Sequence, residues 1–380
     1  MGQAAGTTSP SPLRRRLLPL RRRSKKMSKW RRYVYLLVDH FRNGTYPLRR
    51  IDASSLFVPR SRLTKTTMDF LATDIAEGSL PRPLLSFSPP HFDLQNGILE
   101  FFSLFGSGRS KSLLAGVDQT GSVGFLYDLA ENHVGSLPRI SEPKDCCPVS
   151  LPVGDALYVI NRRPPPGCSC GFEALTLAVP ERGTGVPDWR WHRLPPPPYV
   201  LDPDYNAANC IDAYTVVDGS KIWTSTPGVG TYSFDTATAS WSKVGSWELP
   251  FRGRADYFPE YGSWIGFSSP GNNLCSSDLA ASKTKSPVLR YVWMDLRPPP
   301  GWMCIKTYLV RLGGGKLCVA KFFHTMADES DGRGFYLKRE TFVVLTGVTL
   351  EHSGVGDELR MTKHKSYRYD IEAFSNGWVF

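Results

Sequence analysis

Cysteine is the residue type in this chain that most invites chemistry. There are eight: Cys146, Cys147, Cys168, Cys170, Cys210, Cys275, Cys304 and Cys318. Cys146 and Cys147 are adjacent, and Cys168-Ser-Cys170 brackets a single residue. Paired thiolates hold soft metals, but a structural zinc site wants two pairs with gaps of two to four residues. Neither spacing fits and no histidine lies close to them. The sequence therefore assigns no metal ligand and no cofactor, and the thiols read as free groups in loops or core. The seven histidines, His40, His91, His133, His192, His324, His352 and His364, form no H-x-H, H-x3-H or H-E-x-x-H. Each reads as a turn or surface residue. A copper-radical centre needs a Tyr–Cys crosslink and two histidines, and nothing marks such a set.

Other reactive patterns are equally weak. No Gly-x-Ser-x-Gly elbow occurs. The glycine runs at 106–108, 313–315 and 332–334 lack the spacing that cradles phosphate, and read as hairpin turns. The acids Asp202/Asp204 and Asp328/Glu329/Asp331 lack the order of a calcium loop. No catalytic residue is assigned, which weighs against an enzyme.

Charge is unevenly placed. The formal net charge is +11, from 46 basic and 35 acidic residues. Residues 1–32 hold 11 of the basic ones and no acid, so the remaining chain is balanced. The arm comprises Arg14, Arg15, Arg16, Arg21, Arg22, Arg23, Lys25 and Lys26, followed by Lys29, Arg31 and Arg32. Residues 1–29 have little to bury and read as a disordered basic arm. Nucleic acid or another acidic surface is expected only through residues 1–32. Pro12 and Pro19 interrupt the amphipathic helix that organelle import requires, so a cytoplasmic or nuclear location is favoured over an organelle. The arm also reads as an inert extension, since Met27 could itself start the chain.

The body, residues 30–380, is one architecture of short strands. There are 34 Gly and 31 Pro, clustered between apolar runs, which mark many turns. Strands are expected at Tyr33–Asp39, Ile98–Leu104, Leu113–Val117 and Val123–Leu129. The one helical pattern is Thr66–Ile75, with Met68, Leu71 and Ile75 at helical spacing. No apolar stretch is long enough for a membrane span.

An internal repeat orders these strands. Leu-Pro recurs at Leu137-Pro138, Leu194-Pro195 and Leu249-Pro250, with Trp191 and Trp247 ahead of the later two. Glycine introduces a strand after each, at Gly154, Gly219 and Gly262, and again at Gly313. A small antiparallel meander cannot bury its apolar face alone, and stacking such units around an axis solves this. The all-β reading is thus a β-propeller of six, alternatively seven, blades, its ~50-residue period matching kelch-type blades. A two-domain β-sandwich is the competing fold. Ring closure should pair Tyr33–Val38 with strands near Tyr367–Val379.

The segments Lys29–Asp39, Tyr46–Asp52, Tyr232–Thr236, Trp247–Phe251 and Lys363–Tyr367 resemble a grass family of uncharacterised proteins, domain of unknown function 1668. The resemblance covers residues 29–380. It implies a kelch-like propeller with no established activity and supplies no catalytic residue. The 29 residues ahead of it are too few for F-box helices, so a ubiquitin-ligase adaptor role is not supported.

The expected function is a non-enzymatic interaction scaffold. Its protein partner, unidentified, would meet loops 141–149, 162–171 and 196–210 on one face, with contact residues Arg162, Arg163, Trp189 and Tyr199. A propeller enzyme acting on carbohydrate or another small molecule is the alternative, as is acidic-surface or nucleic-acid association through the arm. The proline runs 164–166, 195–198 and 298–300 read as stiff inter-strand loops.

Overall fold

A computed structural model describes residues 30–40, 44–64, 74–89, 98–106, 112–118, 120–168, 171–178, 187–206, 208–280, 285–330, 335–353, 358–371 and 376–380. The basic arm through Lys29 and residues 66–73 of the expected helix lie outside these.

The described strands make six antiparallel four-strand units. The second unit runs Leu99–Phe101, Leu113–Asp118, Gly124–Asp128 and His133–Leu137. The third runs Val149–Val153, Ala156–Ile160, Phe172–Ala178 and Asp188–Arg193. The fourth and fifth cover Ala213–Gly245 and Phe251–Trp293. They share one sheet because their first strands pair in parallel, Ala213 with Gly253 and Thr215 with Ala255. The sixth has long strands, Met303–Gly313, Lys316–Ser330, Phe335–His352 and Leu359–Asp370, and a parallel edge strand at Ala76–Glu77.

The first unit is composite. Tyr33–Val38, Tyr46–Asp52 and Pro83–Phe87 come from the start of the chain, and Gly377–Val379 supplies the fourth strand from the end. Leu36 pairs with Val379, Leu37 with Trp378 and Val38 with Gly377. This is the closure expected from the sequence.

Buried side chains between the units form a closed circle. Tyr46, Leu48 and Trp378 of the first unit meet Phe101 and Tyr127 of the second. Val117 meets Leu157 and Val159 of the third, and Leu151 and Phe172 meet Ile222 and Phe234 of the fourth. Trp223 meets Phe251 and Trp264, and Phe267 meets Val319 and Leu350 of the sixth. Val34 and Leu36 then meet Phe322 and Leu345, which returns to the first unit. Units packed face to face in a complete ring are the blades of a β-propeller.

The repeat has a structural meaning. Leu137, Leu194 and Leu249 sit where the chain leaves a blade's outermost strand for the next blade's innermost one. Each leucine packs into an interblade core, and the proline after it needs no ladder partner. The glycines make the first hairpin of each blade. Gly154, Gly219 and Gly262 have φ of 57, 72 and 56°, which glycine adopts without steric cost.

Two expectations change. Arg31 and Arg32 belong to the fold rather than to a free arm. The Arg31 backbone N–H donates to Leu312 O at 2.7 Å and its guanidinium to Phe380 O at 3.1 Å. Arg32 donates to Asp52 through Nε at 2.8 Å. Trp30 packs on Phe57, its ring under the Lys316 ammonium. His364 is not a surface residue either. Its strand turns it onto the core beside Phe57, where Nδ1 accepts from Val58 N and Nε2 meets Thr349 Oγ1 at 3.1 Å. Among the described residues, no helix is long and apolar enough to cross a membrane.

Trp378 is 4% exposed and packs against Tyr46 and Phe101. Trp378→Ala should therefore destabilise the protein by about 3–5 kcal/mol in denaturant unfolding. A loss below about 1 kcal/mol would contradict a closing role for this strand. Burial, with Lys316 adding to it, pushes His364 down to about 4 from 6.5. The unfolded chain then protonates first, so stability is whole above about 6.5 and is lost as pH falls towards 4. His364→Gln should flatten that slope in urea melts between pH 4 and 7; an unchanged slope would contradict it.

Candidate functional site at the axial mouth

All six innermost strands begin at one end of the ring. Leu99, Val149, Ala213, Phe251, Met303 and Gly377 open them. Polar residues in the first halves of these strands, or just before them, lie close enough to act on one another. Burial and the nearby Cys147, Tyr214 and Glu100 push Tyr308 well up. Burial likewise raises Tyr214, with Arg254, Arg162 and Lys306 acting against it. The groups named come from every blade once Asn376, which precedes the closing strand, is included.

Cys147 sits at the centre of hydrogen bonds. Its sulfur accepts from Asn376 Nδ2 at 3.3 Å and Lys306 Nζ at 3.7 Å, and lies 3.7 Å from Cys146 Sγ. Lys306 also donates to Asn376 Oδ1 at 2.7 Å. Asn376 is fixed at its backbone, donating to Asp39 Oδ1 at 3.0 Å. Lys306 rests over the rings of Trp378 and Tyr308, 5.2 and 5.4 Å from their centroids. The Cys147 backbone has φ of 58°, an uncommon conformation outside glycine, and its N–H donates to Glu100 Oε1 at 3.3 Å.

Glu100 is the exceptional group. It is 1% exposed on an innermost strand, and its Oε2 has no hydrogen-bond partner. Burial, with the neighbouring Cys147, pushes its carboxyl up to about 8. The Cys146 thiol contact pulls Cys147 down, helped by Lys306 and Asn376, and the same contact pushes Cys146 up. Glu100, Cys146 and Cys147 place three ligand atoms within 4.8 Å of one another.

The loop that presents the cysteines is pinned by a buried ion pair. Lys144 Nζ donates to Glu173 Oε2 at 2.6 Å, both side chains being 1% exposed. Ser141 N donates to the other Glu173 oxygen at 2.9 Å. Asp145 accepts from the backbones of Arg162 and Arg163 at 2.9 and 2.7 Å. Arg162 O accepts from Ile211 N, Gly167 N donates to Val200 O, and Tyr205 Oη donates to Pro164 O. The interblade crossings around 141–149 and 196–211 and the hairpin loop 162–168 are therefore hydrogen-bonded to one another beside the mouth.

The four expected contact residues separate. Arg162 and Arg163 lie on these loops. The Arg162 guanidinium is 3.6 Å from Asp212, which Arg252 also approaches at 3.9 Å. Tyr199 is 6% exposed and packs between the rings of Tyr205 and Tyr232. Trp189 stands in the outermost strand of the third blade, 5.4 Å from Phe105, at the far end from these loops. Both rings are engaged in packing. The basic residues Arg14 to Lys26 lie outside the described residues. Cys168 is disulfide-bonded, contrary to the expectation of free thiols, in a loop turned back sharply at Gly167 and Gly171. Six other cysteines are free. Glu100, Lys306 and Asn376 escape a reading by motif, because they lie 47, 159 and 229 residues from Cys147. The available signal is one acid inside the apolar run Ile98–Leu104.

The fold and this mouth define a β-propeller with a polar cluster built at its axis. The chain belongs to the family described as Protein of unknown function (DUF1668), which matches residues 31–369. No curated protein matches it. Solved structures similar to it include the β-propeller domain of Myceliophteria thermophila Cps50 (Swd1), 11% identical, covering 83% of this chain and 90% of that one, with a TM-score of 0.38. Kluyveromyces lactis Hsv2 is 10% identical over 85% and 92%, at 0.37. BamB of Moraxella catarrhalis is 12% identical over 91% and 81%, at 0.33.

Breaking the buried pair should cost more than removing it. Lys144→Met should destabilise the protein by about 3–5 kcal/mol, and adding Glu173→Leu should restore most of that. Urea unfolding of both variants checks this; equal losses in the two would contradict it.

Proposed function

We propose that the protein is an interaction scaffold that takes a protein partner on the face carrying loops 141–149, 162–171 and 196–210. The observation that carries this reading is the hydrogen-bonded platform these loops make around the axial mouth. A rigid platform on a ring loses little entropy when a partner docks. Its charge specifies the partner's chemistry. Arg162 and Arg252, 38% and 64% exposed, share the single carboxylate of Asp212, and Arg163 adds a third exposed guanidinium. The surplus positive charge fits a partner segment that bears carboxylates, which arginine holds through paired hydrogen bonds.

The test is capture from an extract of the source tissue with the full chain and with the variant Arg162→Glu/Arg163→Glu/Arg252→Glu. The expected result is a partner with an acidic segment that binds the parent chain, weakens as salt rises, and is lost with the variant. Identical capture by both, with both folded, would overturn the assignment of this face.

A further inference from the structure

We propose that Glu100, Cys146 and Cys147 form a three-ligand site for a thiophilic divalent cation of the zinc class, with its fourth position open at the axial mouth. The proposal concerns the cluster itself and does not depend on the docking reading.

Geometry is the first support. Two thiolates bound ~2.3 Å from a tetrahedral zinc ion stand about 3.8 Å apart. The two sulfurs here are 3.7 Å apart. A carboxylate oxygen of Glu100 lies within 4.8 Å of both, within reach of a shared ion after a small side-chain adjustment. The second support is independent of the cysteines. Glu100 Oε2 is buried and has no hydrogen-bond partner among the described residues, an unfavourable state for a carboxyl oxygen. A cation would satisfy it.

Charge is the third support. Two thiolates, one carboxylate and a dication leave one negative charge. The Lys306 ammonium, 3.7 Å from Cys147 Sγ, balances it. Lys306 and Asn376 both donate to that sulfur, as outer groups do around metal-bound thiolates. Two sulfurs in the set select against magnesium and calcium, which take oxygen alone. The remaining corner faces solvent, since Cys146 is exposed. Three protein ligands and an open corner leave room for water or for a donor atom from a bound molecule.

The test titrates the full chain, kept reduced and free of air, with cobalt(II) as the spectroscopic stand-in for zinc. The expected result is an intense sulfur-to-cobalt charge-transfer band with ligand-field bands of tetrahedral strength. They should saturate at one equivalent and vanish when zinc(II) is added. Cys168→Ser should keep the bands. Cys146→Ser/Cys147→Ser should abolish them, Glu100→Gln should weaken binding at least about 10-fold, and Lys306→Met about 10–100-fold. Absence of a charge-transfer band in the parent chain, with its free thiols confirmed by titration, would overturn the proposal whether or not any variant folds. So would bands that survive in the double-cysteine variant. Undiminished affinity in folded Glu100→Gln would remove Glu100 from the site and overturn the three-ligand assignment.

Discussion

Every blade of this protein has two apolar faces, and neither can face water. That constraint organises the molecule. A blade at the end of an open stack would leave one face uncovered, at a cost of roughly 25 cal/mol for each Å² of apolar surface. The ring removes the ends. Six interblade cores follow one another until Val34 and Leu36 meet Phe322 and Leu345. Closure rests on three residues, Gly377–Val379, which complete the first blade from the other end of the chain. Trp378 fills the core between the first and second blades while its backbone pairs with Leu37. Arg31 reinforces the seam by donating to the last carbonyl.

Closing the ring also dictates where polar chemistry can gather. Innermost strands run side by side around the axis, so their starts meet at one mouth. Groups far apart in sequence become neighbours there. Glu100, Cys147, Lys306 and Asn376 come from four segments and share one hydrogen-bonded cluster. Such a cluster cannot be held by local turns. It is held by the ring on one side and by the Lys144–Glu173 pair and the Asp145 carboxylate on the other. The Glu100 carboxyl is taken out of water without full compensation, a cost that the packed ring offsets.

The sequence made the ring legible in its regular part. The Leu-Pro crossings at 137, 194 and 249 and the hairpin glycines at 154, 219 and 262 recur because each blade repeats one packing problem. The sixth blade repeats it poorly. Gly313 opens its first hairpin as expected, but its strands reach 15 and 18 residues at Lys316–Ser330 and Phe335–His352, so the turns that follow fall out of step with the other blades. The candidate site was legible only in fragments. Arg162 and Arg163 lie on the loops expected to bear contacts, whereas Tyr199 and Trp189 are held by packing that no local pattern announces. Cys146 and Cys147 look unpromising by spacing alone, because their third partner lies on another blade. A carboxylate isolated in the apolar run around Phe101 is a sign of an axial strand, and it becomes readable only once the fold is known.

The closing strand is part of the cooperative ring rather than a frayed tail. Hydrogen exchange at the backbone amides of residues 376–380 tests it most directly. Slow exchange is expected, with an opening free energy equal to that of global unfolding, as for the innermost strand Val149–Val153. Exchange at the rate of an unprotected chain terminus, while Val149–Val153 stays protected, would contradict it.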